Sequence, residues 1–314
     1  MIDEHLSVAE RRRAFSPTEC ERLRVALDPD ATAVEVRPLM GGVDTATYAV
    51  RLGHRDVVLR VYRGWKGDVA GKVKRDYALL QTVSANTSLA PRPILCDAPG
   101  KLVGEPLIAL TMLEGAPLAP SSQNAGWTDQ LAAALVAIHA IPVARLAGIE
   151  RDRTPRERLA RRLADPPREP DPVWDEIVAV LPGLLDRVKG NSPTLIHGDF
   201  WFGNTVWQNG RLSGVVDWGG ARVGDPATDV AIARADLRLF TGERPAEDFL
   251  TRYEAARGRL SDLVFWDLLA ALDPIRWLTH WIAGYEELGV ALPLGEARAR
   301  LERWVAADLR ATNE

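Results

Sequence analysis

The stretch LIHGDFWFGNTVWQNGRLSGVVDWGGARVGDPATD, from Leu195 to Asp229, decides how the chain folds. It opens on an apolar strand, Thr194 to Ile196, and turns at His197-Gly198-Asp199. A loop ending at Asn204 leads into two short strands, TVW (Thr205 to Trp207) and LSGVV (Leu212 to Val216). They are joined through Asn209-Gly210, a favoured tight-turn pair. The second strand ends on Asp217. Such a hairpin returns the chain on itself, so Asp199, Asn204 and Asp217 can converge at the strand ends. Two carboxylates and an amide supply hard oxygen ligands and a proton acceptor, which suit magnesium and a hydroxyl nucleophile. The plain alternative, a hairpin with polar turns, leaves the joint spacing of the three groups without a reason.

Kinase-type phosphoryl transfer has a short parts list: an Asp that takes or orients the hydroxyl proton, an Asn shortly after it that holds one magnesium, and a later Asp that holds the metal bridging the phosphates. Asp199, Asn204 and Asp217 match that list in order. Here the sequence resembles the aminoglycoside phosphotransferase and choline kinase superfamily, with its His-Gly-Asp…Asn, its later Asp-Trp or Asp-Phe pair and its Gly-Asp-Pro-x-x-Asp segment. The resemblance implies an α+β, two-lobed protein-kinase-like fold: a small antiparallel-sheet N-terminal lobe over residues 1–114 and a larger, mostly helical C-terminal lobe over 115–314. It also implies ATP, with GTP as the alternative donor, together with Mg2+ and a small-molecule hydroxyl acceptor. Asp199 would be the catalytic base, and Asn204 and Asp217 the metal ligands. His197 would brace the turn, and Asp225 and Asp229 would steady the loop.

Composition sets the outer limits. The chain of 314 residues is 46% hydrophobic and 26% charged, ordinary for a globular protein with ample core. A net charge of -4 gives no basic footprint for nucleic acid. Cys20 and Cys96 form no spacing motif and read as small apolar residues in a reducing compartment. The opening MIDEHLSVAERRR lacks an apolar signal core, and no apolar run reaches bilayer-spanning length. A cytoplasmic protein with no membrane partner is expected.

In the first lobe, Ser16-Pro17-Thr18-Glu19 is a capping box that opens a helix to about Leu27. Ala33 to Leu39, Thr45 to Leu52 and Asp56 to Tyr62 alternate as strands. Gly41 and Gly42 between the first two are either a plain turn or a loop whose backbone N–H groups cover phosphates. Beside the resemblance, the phosphate loop is the reading taken. In kinase-like folds a Lys on the third strand, paired with a helix Glu, holds the α/β-phosphates. Here the basic residue is Arg60, and the helix from about Asp68 to Ser84 offers Asp76. Arg and Lys are not interchangeable, so this pair departs from the family pattern; an ordinary surface ion pair is the alternative. Ala90-Pro91-Arg92-Pro93 reads as an extended connector and Leu107 to Leu113 as a buried strand. By the resemblance its end is the hinge that contacts the base, through Thr111 and Met112.

The second lobe reads as helices over Gly126 to Ile141, Thr154 to Leu163, Val173 to Val188, Pro226 to Arg238, Pro245 to Ala256, Ser261 to Leu288 and Leu294 to Leu309, with a proline-rich loop at Ala164 to Pro172. His139 on the first of these is expected to be a satisfied core residue. Trp277 and Trp281 stand one turn apart, a spacing that usually means core packing. By the resemblance, Asp267, Asp273, Glu286 and these tryptophans belong to the acceptor wall, which favours an aminoglycoside-like or amino-sugar acceptor over choline or homoserine. Two other classes stay open: a nucleotide-binding kinase-like protein without transfer, and a metal-dependent hydrolase using His197, Asp199 and Asp217.

Overall fold

The computed structural model describes residues 13–39, 45–117 and 126–312. The chain divides into two compact units, Met1–Glu114 and Gly115–Glu314.

The first unit begins with helix α1 (Pro17–Leu27), whose capping box forms as the sequence predicts: Ser16 Oγ accepts from Glu19 N–H while the Glu19 carboxylate accepts from Ser16 N–H (2.8 Å). Strands β1 (Val34–Pro38), β2 (Ala46–Leu52), β3 (Arg55–Val61), β4 (Pro93–Asp97) and β5 (Leu107–Thr111) make one five-stranded antiparallel sheet in the order β1-β2-β3-β5-β4. Alternation decides its faces: Tyr48, Val50 and Leu52 of β2, Val57, Leu59 and Val61 of β3, and Leu107 and Ala109 of β5 form one core with Leu23 and Leu27 of α1. Arg60 therefore lies on the opposite face of β3. Helix α2 (Val69–Ser84), capped by the Asp68 carboxylate on Gly71 N–H, packs against β4 and β5. Strand β4 replaces the end of the expected connector. It is an edge strand with a register shift between Pro93 and Leu95 and no clean alternation, so no periodicity announced it.

The second unit holds helices α3 (Trp127–His139), α4 (Pro155–Leu163), α5 (Pro172–Leu185), α6 (Ala227–Phe240), α7 (Glu243–Arg257), α8 (Leu263–Glu287) and α9 (Leu294–Ala311). Helix α6 packs against α7, α8 and α9, and α3 against α7. Two small sheets stand among them: β6 (Ala116–Pro117), β8 (Thr205–Gln208) and β9 (Arg211–Val215) in the order β6-β8-β9, and β7 (Thr194–Ile196) with β10 (Arg222–Gly224). The β8–β9 hairpin turns through Asn209 (φ 52) and Gly210 (φ 74), the left-handed pair expected of Asn-Gly. Strands β6 and β10, of two and three residues, are too short for any period to reveal. Trp277 corrects the core expectation: it is 46% exposed. Pro274 interrupts α8 and Trp277 leaves helical geometry (φ -124, ψ 19), so the one-turn register with Trp281 no longer predicts a shared face. Both cysteines are half-buried free thiols. Among the described residues, no helix is long and apolar enough to cross a membrane.

Because the Ser16 hydroxyl satisfies an otherwise orphaned helix donor, Ser16→Ala should lower stability by about 1 kcal/mol in urea unfolding, whereas Ser16→Asp should nearly preserve it.

Candidate active site

The second unit gathers the Leu195–Asp229 residues around one turn. Strand β7 ends at Ile196, and His197-Gly198-Asp199 turns away from it. Gly198 has φ +82, and a Cβ there would collide with the Gly220 carbonyl oxygen, so only glycine lets these two backbone segments meet. Two further bonds tie the turn to the hairpin: His197 Nε2 donates to the Val216 carbonyl (2.9 Å), and Val216 N–H donates to the Asn204 carbonyl (2.8 Å). A carbonyl only accepts, so the proton sits on Nε2 of His197. The ring packs edge-on against Trp218 and Phe200, both buried.

Asn204 closes the arrangement. Its Nδ2 donates both to the Asp199 carbonyl and to the Asp199 carboxylate, each at 2.9 Å. Both partners are pure acceptors, which fixes the amide's orientation and leaves its Oδ1 for an outside donor or a cation. Asp217 directly follows Val216 in a left-handed conformation (φ 63, ψ 53). The structure thus brings together Asp199, Asn204 and the residue beside Asp217 through direct bonds. Crowding by protein atoms and the negative charge of Asp217 push the Asp199 carboxyl up to about 6. Asp199 is itself accessible to water, which tempers both causes. A bound cation would relieve that repulsion. An amide oxygen beside a carboxylate is a fitting partial ligand set for magnesium, which keeps waters and substrate oxygens in its remaining positions. Accordingly, no group of three or more His, Cys, Asp or Glu side chains among the described residues is arranged as a complete metal cage.

What holds the turn is Asp229, one turn into α6 and fully buried. Its carboxylate accepts from His197 N–H (2.6 Å) and Gly198 N–H (2.8 Å) and from His139 Nε2 (3.1 Å). On its far side His139 Nδ1 meets the Tyr253 hydroxyl at 2.7 Å. Burial pushes that phenol up to about 12, so it stays protonated and can donate to Nδ1. Burial alone would raise the Asp229 carboxyl; the His139 hydrogen bond, the His139 and His197 rings and the His197 N–H outweigh it and hold the group below its ordinary value. Asp225 has a separate task, accepting from Asn191 N–H and Nδ2 and from Ala227 N–H at 2.9 Å each. The sequence pointed to Asp229 through GDPATD; its link to His139 and Tyr253 had no local signal, since they lie 90 and 24 positions away.

The acceptor-wall expectation needs correction at Asp267. That carboxylate is buried between Arg234 and Arg238 at 3.2 Å from each, in a network that also takes in Asp308, Glu243 and Glu247. Asp273 pairs with Arg162, and Glu286 is exposed.

In the first unit, Arg60 Nε donates to Thr45 Oγ1 at 3.3 Å. Asp76 accepts from the Tyr62 hydroxyl (2.8 Å) and from Lys72 Nζ (2.9 Å), and Lys72 also lies over the Trp65 ring at 4.6 Å. Lys72 thus pairs with the acid that the sequence assigned to Arg60. Thr111 N–H donates to the Arg92 carbonyl and its hydroxyl accepts from Arg92 N–H, each at 2.8 Å; Met112 follows, half-buried. Gly41 and Gly42 lie outside the described residues.

Removing the Asp229 carboxylate strands two backbone donors and His139. Asp229→Ala should cost about 3 kcal/mol or more in urea unfolding at neutral pH. The folded carboxyl lies below its ordinary value of 3.8, so this stabilisation is present above that pH and is lost as pH falls further. The gap between the native protein and Asp229→Asn should accordingly narrow in acid.

Residues 35–263 match the model of the phosphotransferase enzyme family. An aminoglycoside 3'-phosphotransferase from Streptomyces fradiae is 36% identical over 93 residues, which is 27% of this chain and 35% of that relative. The match thus spans about a third of the curated relative's length. Among solved structures, a thermostable mutant of aminoglycoside phosphotransferase APH(4)-Ia in a ternary complex with AMP-PNP and hygromycin B superposes with a TM-score of 0.66 at 18% identity, covering 93% of this chain and 98% of that one. A macrolide 2'-phosphotransferase type I gives 0.61 at 23% identity over 92% and 99%. These structural likenesses establish a shared protein-kinase-like fold, and the family match, spanning most of the chain and containing the whole turn–hairpin–helix arrangement, establishes more: this protein belongs to the phosphotransferase enzyme family.

Proposed function

We infer that the protein transfers the γ-phosphoryl group of ATP, with magnesium, to a hydroxyl of a small molecule bearing amino groups, an aminoglycoside or a simpler amino sugar. The observation that carries this reading is the direct hydrogen bonding of Asn204 to Asp199, with Asp217 brought alongside by the Val216–Asn204 bond. In that reaction Asp199 takes the proton of the acceptor hydroxyl as its oxygen bonds to the γ-phosphorus and the bond to the bridging oxygen breaks, leaving ADP and a phosphate ester. Asn204 Oδ1 and the Asp217 carboxylate would hold magnesium, which supplies positive charge against the phosphates. Arg60, positioned by Asp76, would neutralise α/β-phosphate charge; its planar guanidinium suits bidentate contact with phosphate oxygens. Contact with the base would fall to the Thr111 carbonyl and Met112, since Thr111 N–H is already used. ATP as donor agrees with a cytoplasmic setting.

The amino-bearing acceptor is favoured over a neutral one because the negative charge of Asp217 acts on the Asp199 carboxyl and an ammonium group nearby would offset it. The deciding experiment is phosphoryl transfer from ATP to kanamycin, glucosamine, choline and homoserine, with products read by mass. Asp199→Ala should lose about two to four orders of magnitude in turnover while binding nucleotide nearly as well as the native protein. Undiminished transfer by that variant would overturn its role as base. Arg60→Ala should instead act mainly on nucleotide affinity, with Arg60→Lys recovering only part.

A further inference from the structure

Helix α6 presents two unlike faces. Arg234 and Arg238, one turn apart, are both committed to the acids of α7, α8 and α9 described above. Asp229 and Asp236, two turns apart, share a different face, the one by which Asp229 grips the His197–Gly198 turn. Asp236 is 4% exposed, and its carboxyl has no hydrogen-bond or ion-pair partner among the described residues. It lies near enough to Asp199 for that negative charge to act on it, and burial together with that charge holds the Asp236 carboxyl well above its ordinary range. One turn further along the same face, Phe240 stacks nearly parallel on Tyr285 (12° between planes). Tyr285 in turn packs against Trp201 and Phe202, in the loop between Asp199 and Asn204. The Tyr285 hydroxyl is also buried without a partner among the described residues.

Buried carboxyls are seldom left unpaired, because desolvation is repaid only by a hydrogen bond or a countercharge. The two arginines nearest in sequence are spent on the other face, and no cation among the described residues pairs with Asp236. We propose that Asp236 is a specificity-determining acceptor contact, whose carboxyl group receives the protonated amino group of an amino-sugar or amino-alcohol substrate and so sets the reacting hydroxyl beside Asp199. The aromatic wall of Phe240, Tyr285 and Trp201 suits such a ligand, presenting ring surface to its carbon skeleton and to its cationic edge. This rests on the phosphotransferase reading for the identity of the acceptor, and not for the existence of the subsite.

The test measures equilibrium binding, independent of turnover, by calorimetry with kanamycin and glucosamine and with their N-acetylated forms. The proteins are the full-length native chain, Asp236→Asn and Asp236→Ala. The native protein should bind at least one free amine, and Asp236→Asn should weaken that binding about tenfold or more, the scale of one charge-assisted hydrogen bond. N-acetylation should cost the native protein a similar factor and the variant little, because both changes remove the same contact. AMP-PNP affinity and thermal midpoint should be nearly unchanged in Asp236→Asn, which keeps the shape of the side chain and deletes an unpaired buried acid. The inference is overturned if no amine binds the native protein, if Asp236→Asn binds the amine as tightly, or if the acetylated forms bind both proteins alike. Amine binding that depends on Asp236 without any phosphorylated product would uphold the subsite and refute the reaction instead.

Discussion

The buried carboxylate of Asp229 is what the His197–Asp199 turn depends on. Two successive backbone N–H groups, at His197 and Gly198, would otherwise point into a dry interior with no acceptor, a cost of several kcal/mol in most protein interiors. Asp229 can take both only because His139 and, behind it, Tyr253 supply the remaining donors. Three helices, α3, α6 and α7, are thereby fastened to a three-residue turn. Their packing is apolar, but their mutual register is set by this polar chain, and a slip of any one helix would leave a buried group unmatched.

With the turn held, the site's chemistry follows from an imbalance of charge. Burial raises the carboxyls of Asp199, to about 6, and of Asp236, and negative charge adds to it: that of Asp217 on Asp199 and that of Asp199 on Asp236. The arginines of α6 could have cancelled it and are instead buried against other acids. On the reading proposed above, magnesium and an ammonium group from outside would relieve that charge. Strain of this kind is expected where ligand binding is to be strong and selective.

The first unit shows how the same parts can be shared differently. The acid of α2, Asp76, receives Tyr62 and Lys72, and Arg60 of β3 reaches Thr45. The sequence located both residues correctly by strand alternation and helix spacing, and it named Arg60 and Asp76 as partners by resemblance. Lys72 one helical turn before Asp76 was equally visible in the sequence. Its four-residue spacing from Asp76 is the local signal for their pairing; the spacing did not show that the ammonium would also lie over the Trp65 ring.

Long periodic elements and polar spacing were therefore legible in the chain itself. Capping boxes at Ser16 and Thr154, the Asn-Gly hairpin, the three alternating strands and the order Asp199, Asn204, Asp217 all rest on interactions within a few residues, which local sequence encodes. What only the tertiary structure decided were contacts between distant segments. The pairing of β7 with β10 was one, and the partners of His139 and Asp267 were others. The link from Asp229 through His139 to Tyr253, and Asp236 as a buried acid without a partner among the described residues, belong with them. A side chain's partner, unlike its helical phase, is chosen by whatever the fold carries to it from elsewhere, and no single window of the sequence contains that information.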